Sequence, residues 1–196
     1  VSDVIPFTQR SKASLRDGVL SAAAELLADR GYQGLRMADV ANLAGVSRQT
    51  VYNEFGNKEG LVQAVALQRT AEYLAEVDTR LAAEPDPFEG TRAAIAYVLA
   101  RTAQDRLVSA VLTGADAEDL LPFLTTKGRP VLTPATEAVA RHIRRHWPDA
   151  ATERVTLIAE TTVRLALSYL VMPSPDHRDA VDAIVTIIRA LAPVED

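Results

Sequence analysis

The chain of 196 residues contains no cysteine. That excludes a disulfide framework, zinc–thiolate sites and cysteine nucleophiles, and it suits the reducing cytoplasm in which the protein is expected to work. Aromatic residues are scarce at 5%, so a site built on stacked rings is not indicated. No uncharged apolar run approaches the roughly 18 residues that a membrane span needs, and the first residues lack the pattern of a secretory signal. No membrane partner is expected. Lysine is rare, three against eighteen arginines, which reads as genomic base composition. A net basic charge is missing too, since 21 cations face 26 anions for a formal charge of −5. Nucleic-acid binders usually carry a cationic excess, so charge alone argues against one. Its distribution softens that argument. Up to Gly56, Arg10, Lys12, Arg16, Arg30, Arg36 and Arg48 balance Asp3, Asp17, Glu25, Asp29, Asp39 and Glu54, and the deficit lies wholly beyond.

What remains is a helical vocabulary. Hydrophobic residues make up 48% of the chain, enough to bury a core. Alanine and leucine abound, strand-type alternation is absent, and glycines and prolines fall between periodic segments. The expected helices cover residues 14–30, 37–43, 48–55, 58–83, 87–104, 106–113, 117–125, 130–147, 151–172 and 176–191. Leu15, Val19, Ala22, Ala23, Leu26 and Leu27 form a 3.6-residue stripe on the first, and Gly31 stops it. Ser47 is placed to cap the third helix. Asp86 with Pro87 is placed to start the fifth.

The tight link Ala44-Gly45-Val46-Ser47 joins helices two and three at the steep angle of a helix-turn-helix. Val40, Ala41, Val46 and Val51 are spaced to lock the pair. Arg48, Gln49, Thr50, Tyr52, Asn53 and Glu54 are left around the exposed faces of helix three. These residue types suit DNA: Arg reads guanine, Gln and Asn read adenine, and Thr and Tyr donate to phosphates. Phe55 is expected in the core.

Several short strings occur in order over about 30 residues: Gly31-Tyr32, Met37-Ala38-Asp39-Val40-Ala41, Ala44-Gly45-Val46-Ser47, Thr50-Val51-Tyr52, Phe55 and Lys58-Glu59-Gly60-Leu61. Together they resemble the N-terminal domain of the TetR family of bacterial one-component regulators. The resemblance implies that Thr50, Tyr52 and Lys58 contact phosphates. It makes Arg48, Gln49 and Asn53 readers of bases or backbone, and Ser47 is counted with this DNA-facing set. Two positions depart from the family pattern. Arg36 stands where Ser or Thr is usual, which suggests an arginine–phosphate contact in place of a cap. Glu54 replaces a more usual His or Tyr, and would repel the DNA backbone unless it accepts from cytosine or pairs with a nearby cation.

The fold class expected is all-α. A three-helix helix-turn-helix domain, residues 1–60, is joined by the long fourth helix to a helical ligand-binding and dimerisation domain, residues 61–196. A homodimer is expected, because symmetric operators are read by two heads about one helical turn apart. The segment from Val163 to Met172 is apolar almost all round, and the last helix has its own stripe. Leu165, Tyr169, Val181, Ile184, Val185 and Ile188 are therefore expected at a four-helix dimer interface. The effector pocket is expected among Phe88, Ile95, Leu99, Leu112, Leu120, Phe123, Leu124 and Tyr169, with Val98 and Thr102 on the same helix face. This mainly aliphatic lining points to a long apolar effector, such as a fatty acid, an acyl chain or an alkane-derived molecule.

Arg164 is expected to pair with Glu160 one turn before it. His142 and His146 sit four residues apart, but no acid completes a metal set and three arginines surround them, so they read as a solvated basic face. No metal and no cofactor is expected. No strand-turn-helix nucleophile elbow occurs, so an enzyme is not indicated. The resulting reading is a ligand-responsive repressor of double-stranded operator DNA, released by a small apolar, lipid-like effector. The alternatives are a helical lipid carrier or enzyme with a vestigial helix-turn-helix, and a transcriptional activator.

Overall fold

The computed structural model describes residues 7–113, 118, 121–123 and 125–192, and the side chains of residues 7–12, 110–113 and 123 lie outside that description. Among the described residues there are nine α-helices and no strand. They are α1 (Phe7–Gly34), α2 (Met37–Leu43), α3 (Arg48–Phe55), α4 (Lys58–Ala83), α5 (Pro87–Gln104), α6 (Arg106–Thr113), α7 (Arg129–His146), α8 (Thr152–Val171) and α9 (His177–Leu191).

Local chemistry sets most of these boundaries. Gly31 takes φ 68° and ψ −176°, which breaks the helical path of α1 and sets Tyr32 on a new heading. Ser47 accepts from the Thr50 N–H at 3.1 Å and Asn57 from the Gly60 N–H at 2.8 Å, so α3 and α4 both start on a side-chain cap. Asp86 caps α5 by accepting from the N–H groups of Phe88 and Glu89, with proline in the first turn.

Of the helix expected over 117–125, residues 117, 119, 120 and 124 lie outside the described residues, and only the part from Leu121 on is corrected. Its described residues show helical Glu118, one 3-10 turn at Leu121–Phe123 and Thr125 already in a turn. Pro122 is the physical reason, since its ring removes a backbone donor in mid-segment. Instead the Lys127 N–H folds back onto the Pro122 carbonyl at 2.7 Å.

Two main apolar cores result. The first gathers Val19, Ala23 and Leu27 of α1, Val40 of α2, Val51 of α3 and Leu61 and Val65 of α4. It also takes in Leu107, which α6 sends up from the body. The second core holds α5, α7, α8 and α9 together around Leu99, Val155, Ala159 and Ile184. Helix α4 runs from one to the other, and its lower half packs Val77 and Leu81 against Ala94 of α5. Ion pairs staple the outside: Arg106 to Asp29 at 2.6 Å, Arg141 to Asp78 at 2.9 Å, and Arg92 to Asp182.

Four of the six expected dimer residues are corrected by this packing, which does not contradict Leu165 and Tyr169. Val181, Ile184, Val185 and Ile188 are all buried, with Ile184 at 0% exposure. They are covered by the protein's own helices, so a partner helix cannot reach them. Leu165 and Tyr169 are half-buried against the same core. The face that α8 and α9 turn outwards carries Leu157, Met172 and Ile187, exposed by 57%, 71% and 40%. His142 is a second correction. It is 1% exposed rather than solvated, and its Nε2 lies 3.0 Å from the Pro87 carbonyl.

Candidate DNA-reading head and effector cavity

In the head, α2 and α3 are held together by Val40, Ala41 and Val51, each at 0% exposure, with Val46 packed against them. The turn between them needs Gly45, whose φ of 68° belongs to the left-handed region. Burying Val51 and Phe55 leaves Arg48, Gln49, Tyr52 and Asn53 exposed on α3, with Ser47 just ahead of it and Thr50 half-buried. Tyr52 is 49% exposed, a large aromatic area with no core to cover it. Gln49 donates to Asn53 across one helical turn at 2.7 Å, so the two amides are ordered together. The Ser47 and Thr50 hydroxyls lie 2.8 Å apart, two polar groups converging at the helix N-terminus, where backbone N–H groups favour an anion.

The zero net charge of the head hides an uneven arrangement. Two of its acids are committed: Asp39 takes a bond from Arg30 at 2.8 Å, and Glu54 is paired with Arg16 of α1. That pairing removes the repulsion that a bare Glu54 would offer a phosphate. Arg16 also lies 4.9 Å over the Phe55 ring. By contrast, Arg36 and Arg48 are exposed and make no hydrogen bond or ion pair among the described residues. Arg36 occupies the N-cap position of α2 in an extended conformation, with no side-chain cap bond. Lys58 lies at the start of α4, where its Nζ sits 4.2 Å over the Tyr32 ring and 3.5 Å from the Gln33 carbonyl.

In the body, a cavity of about 210 Å³ lies between α4, α5, α7 and α8 and reaches up to α1 and α6. Ile95 is in its wall, as are Val98 and Thr102. Phe88, Leu99 and Tyr169 are not. Phe88 packs its ring 5.6 Å from Trp147 at the far end of α5, while Leu99 and Tyr169 face the second core. Leu112, Leu120, Phe123 and Leu124 lie outside the described residues, or have side chains that do. Sequence reasoning missed the α4 side of the wall, above all Arg69, Thr70 and Tyr73. The signal was there, because polar residues interrupt the apolar stripe of α4 at these positions. Leu27, Val62, Val65 and Leu107 belong both to the cavity wall and to the head's core.

The wall is aliphatic, and its hydroxyls are turned onto the protein itself. Burial, with a hydrogen bond to Asp105, pushes the Tyr73 phenol well above its usual range, so it stays protonated and donates to Asp105 Oδ2 at 2.9 Å. Among the described residues no group of three acidic or histidine side chains could hold a metal ion, and no helix is long and apolar enough to cross a membrane.

Residues 19–65 match the family model "Bacterial regulatory proteins, tetR family", and residues 86–190 match "Bacterial Tetracyclin repressor, C-terminal domain". The second match alone spans more than half of the chain. The chain belongs to the TetR family. Within it, the chain is 37% identical over 180 residues to the HTH-type transcriptional regulator AlkX of Mycobacterium tuberculosis (strain ATCC 25618 / H37Rv), covering 91% of this chain and 85% of that one. A crystal structure of the TetR family repressor AlkX from Dietzia sp. strain DQ12-45-1b, implicated in biodegradation of n-alkanes, is also similar. It superposes with a TM-score of 0.74 at 29% identity, covering 90% of this chain and 94% of that one. The repressor ComR of Escherichia coli (strain K12) is 33% identical over only 84 residues, 43% of this chain and 40% of its own. TetR family regulators bind operator DNA and act as dimers with small-molecule effectors. This TetR family member is a helix-turn-helix transcriptional regulator.

Proposed function

We propose that the protein is a homodimeric repressor that a small apolar effector releases from operator DNA. Residues 1–60 read the DNA, and residues 61–196 bind the effector and the second copy. Arg36, Ser47, Arg48, Gln49, Thr50, Tyr52, Asn53 and Lys58 make the DNA contacts, with Arg36 and Arg48 supplying the uncommitted charge. The dimer forms through the outward face of α8 and α9, where Leu157 and Ile187 lie exposed, with exposed Met172 just past the end of α8. A regulator implicated in n-alkane biodegradation with the same fold supports an apolar effector, as does the aliphatic wall.

The observation that carries the proposal is the shared wall. Leu27, Val62, Val65 and Leu107 are at once cavity lining and head core. A ligand that fills the cavity pushes on the packing that sets the angle of the head, because close-packed cores transmit strain. The two recognition helices then lose the spacing that successive major grooves require. A coupling of about 1–3 kcal/mol changes operator affinity roughly 5- to 150-fold.

The test is a fluorescence-anisotropy titration of an operator footprinted in the DNA flanking the protein's own gene. Decane, 1-decanol and decanoate are each added in turn. At least one is expected to weaken binding within that range, and Arg48→Ala and Tyr52→Ala are expected to weaken it by about tenfold without effector. Unchanged affinity with all three compounds overturns the effector reading, and unchanged affinity of both variants overturns the DNA contacts.

A further inference from the structure

We propose that Val139, with Thr91 and Thr162, is the stop against which the end of an aliphatic effector chain rests, so that these three side chains set the chain length the protein selects. This rests on the reading of the 210 Å³ cavity as the effector site. A second, much smaller void lies beyond the deep end of that cavity. It measures about 10 Å³, room for one water molecule at most. Thr91, Val139 and Thr162 belong to the walls of both spaces.

The order of residues is the same on three helices. On α7, Val131 and Ala135 line the cavity, Val139 lines both spaces, and Ile143 lines only the void. These residues are four apart and share one face of the helix. On α5, Ile95 and Ala94 of the cavity are followed by the shared Thr91 and then by Phe88 and Pro87 of the void. On α8, Ala166 and Val163 give way to the shared Thr162 and then to Ile158. One apolar channel thus passes three helices and is closed at a single level. From Thr102 to Thr91 the open part follows α5 for about 16 Å. At its other end the cavity shares Val65, Arg69 and Leu107 with an open polar cleft between α1, α4 and the α5–α6 junction. An effector that enters there meets the stop with its far end.

The stop is stiff. All three residues are β-branched, which restricts their side-chain rotation in a helix. Thr91 donates to the Pro87 carbonyl at 2.8 Å and Thr162 to the Ile158 carbonyl at 2.7 Å, so each hydroxyl is held on its own helix. Val139 has no polar atom in its side chain, so it can be shortened or lengthened without orphaning a hydrogen bond. Each methylene buried before the stop strengthens binding about fourfold. A methylene beyond the length of the cavity finds no apolar wall to cover it and adds nothing.

The test is calorimetric titration of the full chain with two homologous series, 1-alkanols and alkanoates, from octyl to hexadecyl chains. In at least one series affinity is expected to rise about fourfold per carbon up to one length and to level off beyond it. Val139→Ala, which removes two methyl groups from the stop, is expected to move that break up by about two carbons. Val139→Leu is expected to move it down by about one. Trp147 is the only tryptophan of the chain, and it lines the void but not the cavity. Its emission is expected to shift with the longest chains in Val139→Ala and to stay constant in the unaltered protein. A break at the same length in all three proteins overturns the inference and leaves the cavity reading intact. So does affinity that keeps rising to hexadecyl chains, or a Trp147 response to long chains in the unaltered protein, either of which means that the channel is already open. Binding by neither series overturns the cavity reading itself.

Discussion

His142 is the residue most out of place against its chemistry. It is a titratable ring at 1% exposure, with Nε2 against the Pro87 carbonyl and Nδ1 buried without a partner. The carbonyl fixes the tautomer, since Nε2 must donate and Nδ1 is then a bare acceptor. Burial holds the imidazole below its usual value, the Pro87 bond acts the other way, and His146, its ring 4.7 Å away, and Arg145 add to the lowering. Folding therefore favours the neutral ring. Above about pH 6.5 both folded and unfolded chains carry it neutral, and the stability is fully present. As the pH falls further the unfolded chain takes up the proton first, and stability declines by up to about 1.4 kcal/mol per pH unit. Urea midpoints between pH 7 and pH 5 should show this fall, and His142→Phe should flatten it. An equal fall in the variant would locate the effect in other groups. The sequence hid this residue because the two histidines of α7 look solvated among arginines. Only Pro87, 55 residues away, reveals that one of them turns inward.

At the scale of the element, boundaries were the legible part, because caps are local chemistry. Ser47, Asn57 and Asp86 each reach N–H groups two or three residues ahead. Such a signal needs no tertiary information, and α2 to α6 start and stop where the sequence placed them. The segment around Pro122 shows the opposite case, where apolar residues suggested an α-helix through Thr125 and Leu121–Phe123 form a 3-10 turn at the proline. Gly45 tests the turn itself. A Cβ added there would meet nothing within 4 Å, so the whole effect of a substitution is backbone strain at φ 68°. Gly45→Ala is expected to lose about 1 kcal/mol in chemical denaturation. Gly45→Asn should lose less, because asparagine tolerates that region. Equal stability of all three proteins would mean that the turn relaxes to another geometry.

For the molecule as a whole, periodicity stated which faces are covered but not by what. The stripe Val181, Ile184, Val185 and Ile188 needs a partner surface, and a second copy of the chain meets that need as well as α5 does. In the structure the chain's own helices meet it, and the remaining outward face is the weaker mixture around Leu157 and Ile187. The α4 wall of the cavity was illegible for a related reason, since Val62 and Val65 carry the same pattern whether they face a core or a void. The double variant Leu157→Glu with Ile187→Glu is expected to shift the protein from dimer to monomer in analytical ultracentrifugation, with its helical circular dichroism retained. A dimer that survives both charges would place the interface elsewhere.

The 210 Å³ cavity has a consequence for how long the protein lasts. An apolar space of this size leaves its lining side chains without packing partners on one side, which is a cost to the folded chain. An occupant that binds only the folded chain offsets part of it by mass action. The empty form is then the one that opens more often and meets proteases unfolded. A cell rich in effector would keep a larger pool of this regulator than a cell without it, and would hold that pool off the DNA.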